Sequence, residues 1–140
     1  MAERFGDAAL RHLETAELLG EQGRIDDSAY HYGLVGETAL KAAIEKALLP
    51  LPKALRRHIN DRKGSLQSAI QKNTDIISLL GSGRLGGALK AEFDQGFLDH
   101  RFVDWSIDIR YAHTGCCPVG SDDLEVWKAD ALVLFNGGIF

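Results

Sequence analysis

Residues 26–49, DDSAYHYGLVGETALKAAIEKALL, carry the clearest helical pattern of the chain. Asp26 and Asp27 stand at its start, where carboxylates cap a helix N-terminus and complement the helix dipole. Because small residues let another backbone approach closely, the pattern that follows predicts a central helix on which the other helices pack. The small and apolar residues recur at spacings of three and four, on one helical face: Ala29, Gly33, Gly36, Leu40, Ala43 and Ala47.

A second face of this helix is charged. Glu37, Lys41 and Glu45 follow one another at steps of four residues, a spacing typical of a solvated ladder of charges. The helix is expected to end near Pro50 and Pro52, because the residue before a proline resists the helical conformation.

A first helix is predicted over Ala2–Leu19, from an apolar stripe with a period near 3.6 residues. Gly20 and Gly23 end it, and the short connection GEQGR predicts an antiparallel hairpin with the central helix. His12 lies on the apolar side, where a hydrogen-bonded histidine at the edge of the core is expected rather than a ligand. The stripe consists of Phe5, Ala9, His12 or Leu13, Ala16 and Leu19.

The rest of the chain is also read as helical. One helix or a broken pair is predicted over 65–80, another over 88–98, and an aromatic stripe suggests helix continuing to Tyr111. A final helix starts at Asp122 and Asp123 and ends at 136–138. The fold class is therefore all-α, an up-and-down bundle of four to five helices in a single domain, residues 1–140. The aromatic stripe is Phe97, Phe102, Trp105 and Ile109, and the final helix presents Leu124, Trp127, Ala131 and Leu134 on one face.

Composition narrows the class of protein. The chain has 140 residues, of which 45% are hydrophobic, enough for one soluble domain with a core. The net charge of −4 argues against general coating of nucleic acid. No apolar run has the length that a membrane helix needs, and charges occupy the N-terminal ten residues, so no membrane association and a cytoplasmic location are expected. The adjacent Cys116 and Cys117 are interpreted as reduced thiols, and neither a metal site nor a cofactor is predicted.

A basic window follows the two prolines in an otherwise acidic chain. Clustered lysine and arginine supply the non-specific part of nucleic-acid affinity, so the window is a candidate for binding RNA through its phosphates. The alternative is a solvated turn between helices. No aromatic residue is interleaved, which argues against a base-stacking platform. The window comprises Lys53, Arg56, Arg57, His58, Arg62 and Lys63.

Two further segments are candidates for chemistry. The densest group of reactive side chains is Asp104, Asp108, Arg110, Tyr111 and His113, for which a structural alternative is an ion pair between Arg110 and Asp108 that ties two helices together. The loop over 81–87, GSGRLGG, matches the dinucleotide fingerprint. Such a fold requires alternating strands and helices, whereas helices are predicted before residue 75, so a flexible interhelical loop is preferred. A dinucleotide enzyme remains a third hypothesis only if the helical interpretation of the first fifty residues is wrong.

The chain resembles HEPN domains, the nucleotide-binding domains of higher eukaryotes and prokaryotes. The resemblance rests on AELLGEQGR, on the 26–48 segment with its Glu37-x-x-x-Lys41 face, on the His58 segment and on WSIDIRYAH. It implies a helical bundle that forms dimers. It also implies either RNA cleavage, as in toxins and defence systems, or a non-catalytic partnership with nucleotidyltransferases. A homodimer is expected, also because the aromatic-rich segment 93–105 can exceed what one small core buries.

Catalytic members of that family are similar in carrying an arginine followed after four to six residues by a histidine, late in the bundle. The arginine would bind the scissile phosphate and the histidine would move the proton of the 2′-hydroxyl. Here Arg110 and His113 stand in that region with only two residues between them, which departs from the pattern. Arg24 and His31 have the family's gap but lie at the wrong end of the bundle, a match read as coincidence.

Two functions follow. The preferred one is a module that binds RNA, a nucleotide or a protein partner without catalysis. The alternative is a metal-independent endoribonuclease that uses Arg110 and His113 across a dimer cleft, with Asp108 or Asp104 orienting one of them.

Overall fold

A computed structural model describes residues 5–47, Phe102, Trp105 and residues 120–138. These residues form three α-helices: α1 over Phe5–Glu21, α2 over Ile25–Ala47 and α3 over Ser121–Gly138. Within those described ranges there is no strand, so the all-α prediction is confirmed for this part of the chain. The helices predicted between residues 65 and 98 lie outside it.

The turn between α1 and α2 is built around Gly23. Its φ of +76° lies in the left-handed region that glycine adopts without a steric penalty. The Arg24 amide donates to the Leu19 carbonyl at 2.9 Å, and the Gly23 amide donates to the Gly20 carbonyl at 3.1 Å. This pair of hydrogen bonds is a Schellman motif, which satisfies the carbonyls at the end of α1. Gly23 is therefore the stop signal, whereas Gly20 lies inside the helix.

The predicted antiparallel hairpin is confirmed by contacts along its length. Near the turn, the Ser28 hydroxyl donates to the Ala16 carbonyl at 2.7 Å, and a methyl group added at Gly20 would lie 3.2 Å from that hydroxyl oxygen. At the far end, the Lys41 ammonium lies 5.8 Å from the centre of the Phe5 ring. The helices therefore run side by side in opposite directions.

The start of α2 differs from the prediction by one or two residues. The Ser28 amide donates to the Arg24 carbonyl, so Arg24 takes the capping position. Asp26 and Asp27 lie inside the first turn, where their charges still complement the helix dipole. The Asp27 carboxylate accepts a hydrogen bond from the Arg24 guanidinium at 2.7 Å.

Two glycines on the small face of α2 accommodate aromatic side chains. A methyl group added at Gly33 would overlap the Trp105 ring, and one added at Gly36 would overlap the Phe102 ring. Each glycine costs roughly 1 kcal/mol of helix propensity relative to alanine, so neither is a default choice inside a helix. The small face was predicted to admit another backbone, but at these two positions it admits aromatic rings.

Phe102 and Trp105 are core residues, as predicted, but they are not helical. Phe102 has a φ of +53°, outside the right-handed helical region, and its amide donates to the Asp130 carboxylate at 2.9 Å. The Trp105 indole donates to the Ala29 carbonyl at 3.1 Å. The helix predicted through these two positions is therefore wrong there, because bonds to α2 and α3 hold a bend instead.

The interpretation of Glu37 and Lys41 as part of a solvated ladder is also wrong. Their side chains are only 4% and 8% exposed, and the Lys41 ammonium lies 3.3 Å from the Glu37 carboxylate. The spacing of four residues brings the two together as predicted. They are buried against neighbouring elements, and Phe5 of α1 lies over the lysine ammonium.

The last helix begins and packs as its sequence predicts. The Asp123 carboxylate accepts a hydrogen bond from the Gly120 amide at 3.1 Å, which satisfies a donor just before the helix. Leu134 lies beside Gly36, and the first turns of α3 lie beside Ser28, so α3 runs in the same direction as α2. Its buried face consists of Trp127, Asp130, Ala131, Leu134 and Phe135.

Across the described parts of the chain, none of the helices combines the length and the apolar character needed to span a membrane.

Candidate functional site

The residues that the sequence singled out for chemistry lie outside the described residues. They remain predictions, and the structure neither brings them together nor separates them. They comprise the polar group of Asp104, Asp108, Arg110, Tyr111 and His113, the basic window of Lys53, Arg56, Arg57, His58, Arg62 and Lys63, the loop over 81–87, and the pair Cys116 and Cys117.

The alternative of a dinucleotide-binding fold can be tested against the described residues. A dinucleotide fold needs a strand before its glycine-rich loop and further strands alternating with helices. Residues 5–21 and 25–47 are two consecutive helices joined by a three-residue turn. The helical interpretation of this part of the chain, on which the rejection of a dinucleotide site depends, is confirmed there.

Arg24 and His31 have structural contacts, in accord with reading their spacing as coincidence. The Arg24 guanidinium binds Asp27 at the exposed start of α2. The His31 ring contacts His12 on α1, with the two Nδ1 atoms 3.1 Å apart and the ring centres 5.3 Å apart. Tyr30 packs edge-on against His31. Both side chains therefore have partners within the hairpin itself.

The contact between His12 and His31 has a chemical consequence. A hydrogen bond between two Nδ1 atoms requires one ring to donate and the other to accept. If both rings carried a charge, both Nδ1 atoms would hold protons and the bond would be lost. Partial burial lowers the pKa of His31, an effect that the nearby Asp27 carboxylate opposes. The prediction that His12 is a hydrogen-bonded residue at the core edge is thereby confirmed.

The described helices also enclose a polar cleft, which is the candidate site. It has a volume of about 350 Å³ and lies where α1, α2 and α3 meet. Each helix contributes residues one turn apart, because positions three and four apart share a helical face. Its lining consists of Glu17, Gly20, Glu21, Ser28, Tyr32, Leu124, Glu125 and Lys128.

Tyr32 is the buried polar residue of this cleft. Its side chain is only 3% exposed, and among the described residues its hydroxyl has no hydrogen-bond partner. Burial raises the pKa of the Tyr32 phenol, and the carboxylates of Glu17 and Glu125 raise it further. Carboxylates on two different helices thus act on one hydroxyl, which stays protonated and able to donate a hydrogen bond.

Sequence reasoning missed this cleft. Glu17 and Glu21 on α1, Ser28 and Tyr32 on α2, and Glu125 on α3 are ordinary helix-surface residues when each helix is considered alone. The available signal is the spacing of four residues within α1 and α2. That spacing predicts two polar pairs, but only the packing of three helices brings the pairs together.

Comparisons of this chain with family models, curated proteins and solved structures gave no match. The resemblance to HEPN domains therefore rests on the sequence motifs alone. Function has to be argued from the chemistry of the residues.

Proposed function

We propose that this chain is a helical binding module, similar to HEPN domains and built as a bundle of four to five helices. It contacts RNA, a nucleotide or a protein partner such as a nucleotidyltransferase, and it does so without catalysis. RNA contact is assigned to the basic window of residues 53–63, whose cations suit a phosphate backbone.

The observation that carries this proposal is how the described helices use their buried polar groups. Ser28 joins α1 to α2, Glu37 and Lys41 pair within α2, and Asp130 holds the Phe102 amide. Buried polar groups are costly unless they are bonded, so groups committed in this way serve the structure. The helices thus supply a scaffold, which leaves recognition to surface groups.

The charge of the cleft argues against RNA contact there. Three of the residues that line the cleft are glutamates, so it disfavours phosphate. The cations of residues 53–63 are the alternative for a chain with a net charge of −4. RNA contact is therefore assigned to the basic window and not to the cleft.

Fluorescence anisotropy of a labelled single-stranded RNA at several salt concentrations tests the assignment. Replacement of Lys53, Arg56, Arg57, Arg62 and Lys63 by glutamine should weaken binding and flatten its salt dependence. Each lost phosphate contact lowers the slope of log K against log salt by about 0.7. The control is Arg11→Gln, which removes an exposed cation from α1. Equal affinity of both variants would refute the assignment, with circular dichroism verifying that each is folded.

Catalysis is tested on the same RNA in the presence of a chelator. The binding module leaves the RNA intact. Cleavage that resists the chelator and is lost in His113→Ala and in Arg110→Lys would instead establish the metal-independent endoribonuclease.

A homodimer is part of the proposal. Two described helices present exposed apolar side chains that a second copy would cover: Leu10 and Leu18 on α1, and Val126 and Val133 on α3. Phe102 and Trp105 are buried within one chain, so they do not supply that surface. Light scattering across micromolar concentrations should give twice the mass of the 15.3 kDa chain. A monomeric mass throughout would contradict it.

A further inference from the structure

We propose that the cleft between α1, α2 and α3 binds an organic cation, an ammonium or guanidinium group on a short aliphatic chain, through Tyr32 and the glutamates around it. This inference is independent of RNA binding, because it concerns different residues and a ligand of opposite charge.

The first support is the Tyr32 hydroxyl. The tyrosine is more than nine-tenths buried and lines the cleft, and no described residue accepts or donates a hydrogen bond at its oxygen. Among the described residues no fully buried side-chain oxygen or nitrogen lacks a partner, so the Tyr32 oxygen is accessible to solvent in the cleft, where a ligand donor can replace water. The phenolic oxygen has lone pairs that accept a hydrogen bond from a cationic N–H donor.

The second support is the charge of the cleft. Glu17 and Glu21 lie on α1 and Glu125 lies on α3, with one cation, Lys128, among them. Within the described residues, Lys128 forms no ion pair with any of the three carboxylates. The carboxylates are therefore available to accept hydrogen bonds from a cation, and such charge-assisted bonds are stronger than neutral ones.

The third support is size. At about 350 Å³, the cleft lies at the lower end of the range for small-molecule sites. Leu124 lies in the lining, where an aliphatic chain would contact it. Within the described ranges, no three histidine, cysteine or acidic side chains are placed to hold a metal ion. An organic cation, whose several donors can reach separated acceptors, fits this arrangement better than an inorganic one.

The test is a titration of the full chain with two probes, followed by calorimetry and by amide chemical shifts. Spermidine supplies ammonium groups, and N-acetyl-arginine amide supplies a guanidinium group. Saturable binding of either probe, with shifts at residues of the cleft, supports the proposal. Binding of spermidine alone identifies a small polyamine as the source of the cation, and binding of the arginine derivative alone identifies a basic peptide.

Variants locate the site. Tyr32→Phe keeps the ring and removes the hydroxyl, and it should weaken binding roughly fivefold. Glu125→Gln should weaken binding about two- to fivefold, as expected for an exposed charge. The matched control is Glu14→Gln, since Glu14 is also exposed on α1 but does not line the cleft. An equal loss in Glu14→Gln and Glu125→Gln would mean non-specific attraction and would overturn the proposal.

A second readout covers the case in which Tyr32→Phe alters the fold. A bound cation stabilises the phenolate, so whichever probe binds should lower the pKa of Tyr32, measured by tyrosinate absorbance. The difference between wild type and Glu125→Gln isolates the contribution of the cleft. An unchanged titration, or no saturable binding of either probe, would refute the inference.

Discussion

Two ion pairs lie on α2, one at its start and one in its middle. Arg24 and Asp27 are 2.7 Å apart with side chains 63% and 47% exposed, whereas Glu37 and Lys41 are 3.3 Å apart with side chains 4% and 8% exposed. Both follow from helical spacing, yet exposed pairs contribute little to stability and buried pairs are costly to break. Helical spacing therefore predicts which charged residues pair, and the neighbouring elements determine how much each pair contributes to stability.

The glycines also differ in how their surroundings constrain them. Gly6 has open space around its Cα, and Gly23 is required for its backbone conformation. Gly33 and Gly36, in the middle of α2, are instead covered by aromatic rings. Substitutions at matched positions in the two regions therefore test this distinction.

The largest effect is expected for Gly33→Ala. The added methyl group would overlap the Trp105 ring, which is fully buried and hydrogen-bonded to α2, so it cannot move without cost. We expect a loss of about 4 kcal/mol in the free energy of unfolding, at the upper end for overpacking. Urea unfolding of Gly33→Ala and of the control Gly6→Ala measures it, with the control neutral or slightly stabilising.

The double variant Gly33→Ala/Trp105→Leu sharpens that result. Once the ring is removed, the alanine should cost much less than it does in the wild-type background, because the two sites are in contact. A cost of Gly33→Ala that is the same in both backgrounds would show that the ring does not occupy this position.

The second effect compares the two ion pairs directly. Lys41→Met removes the cation beside the buried Glu37 carboxylate and should cost about 3 kcal/mol. Asp27→Asn removes a charge from the exposed pair and should cost less than about 1 kcal/mol. Thermal and urea unfolding of both variants measure the difference. Equal costs would contradict the burial of the Glu37–Lys41 pair.

Gly23→Ala is expected to have a smaller effect, about 1 kcal/mol, because a side chain at a φ of +76° is disfavoured. Urea unfolding gives the magnitude. An asparagine at the same position tolerates the left-handed region better, so Gly23→Asn should cost less than Gly23→Ala. The reverse order would argue against the Schellman motif.

The smallest expected effect is a dependence of stability on pH. Because burial lowers the pKa of His31 in the folded chain, the unfolded chain holds that proton more tightly. The contribution of His31 is complete above its ordinary value of 6.5 and declines as pH falls towards the folded value. Urea unfolding between neutral and mildly acidic pH should show a steeper decline in wild type than in His31→Gln. Identical pH profiles would contradict this assignment.

Much of the described architecture could be predicted from local patterns. The apolar stripes identified α1, α2 and α3, and the short connection ending at Gly23 predicted the hairpin. The predictions were wrong where a residue distant in sequence bonds to the segment. The bend at Phe102 depends on Asp130, 28 residues away in sequence, and helical periodicity contains no information about such a bond.

Some features of the candidate cleft were likewise predictable from the sequence, and others were not. The charges of Glu17, Glu21 and Glu125 can be read from the chain, but no local pattern indicates that they surround Tyr32. The residues predicted for RNA contact and for cleavage, by contrast, were identified from composition and resemblance, and they await the binding and cleavage measurements.

Local sequence patterns were sufficient to predict three helices, the turn that joins the first two and the pairing of charges one helical turn apart. These features depend on backbone geometry and on residues close together in the chain. The packing of the helices was needed to show that Glu37 and Lys41 are buried, that Gly33 and Gly36 receive aromatic rings, and that Tyr32 opens into an acidic cleft. Burial depends on which surfaces of different helices pack together, and the sequence of one helix does not specify this.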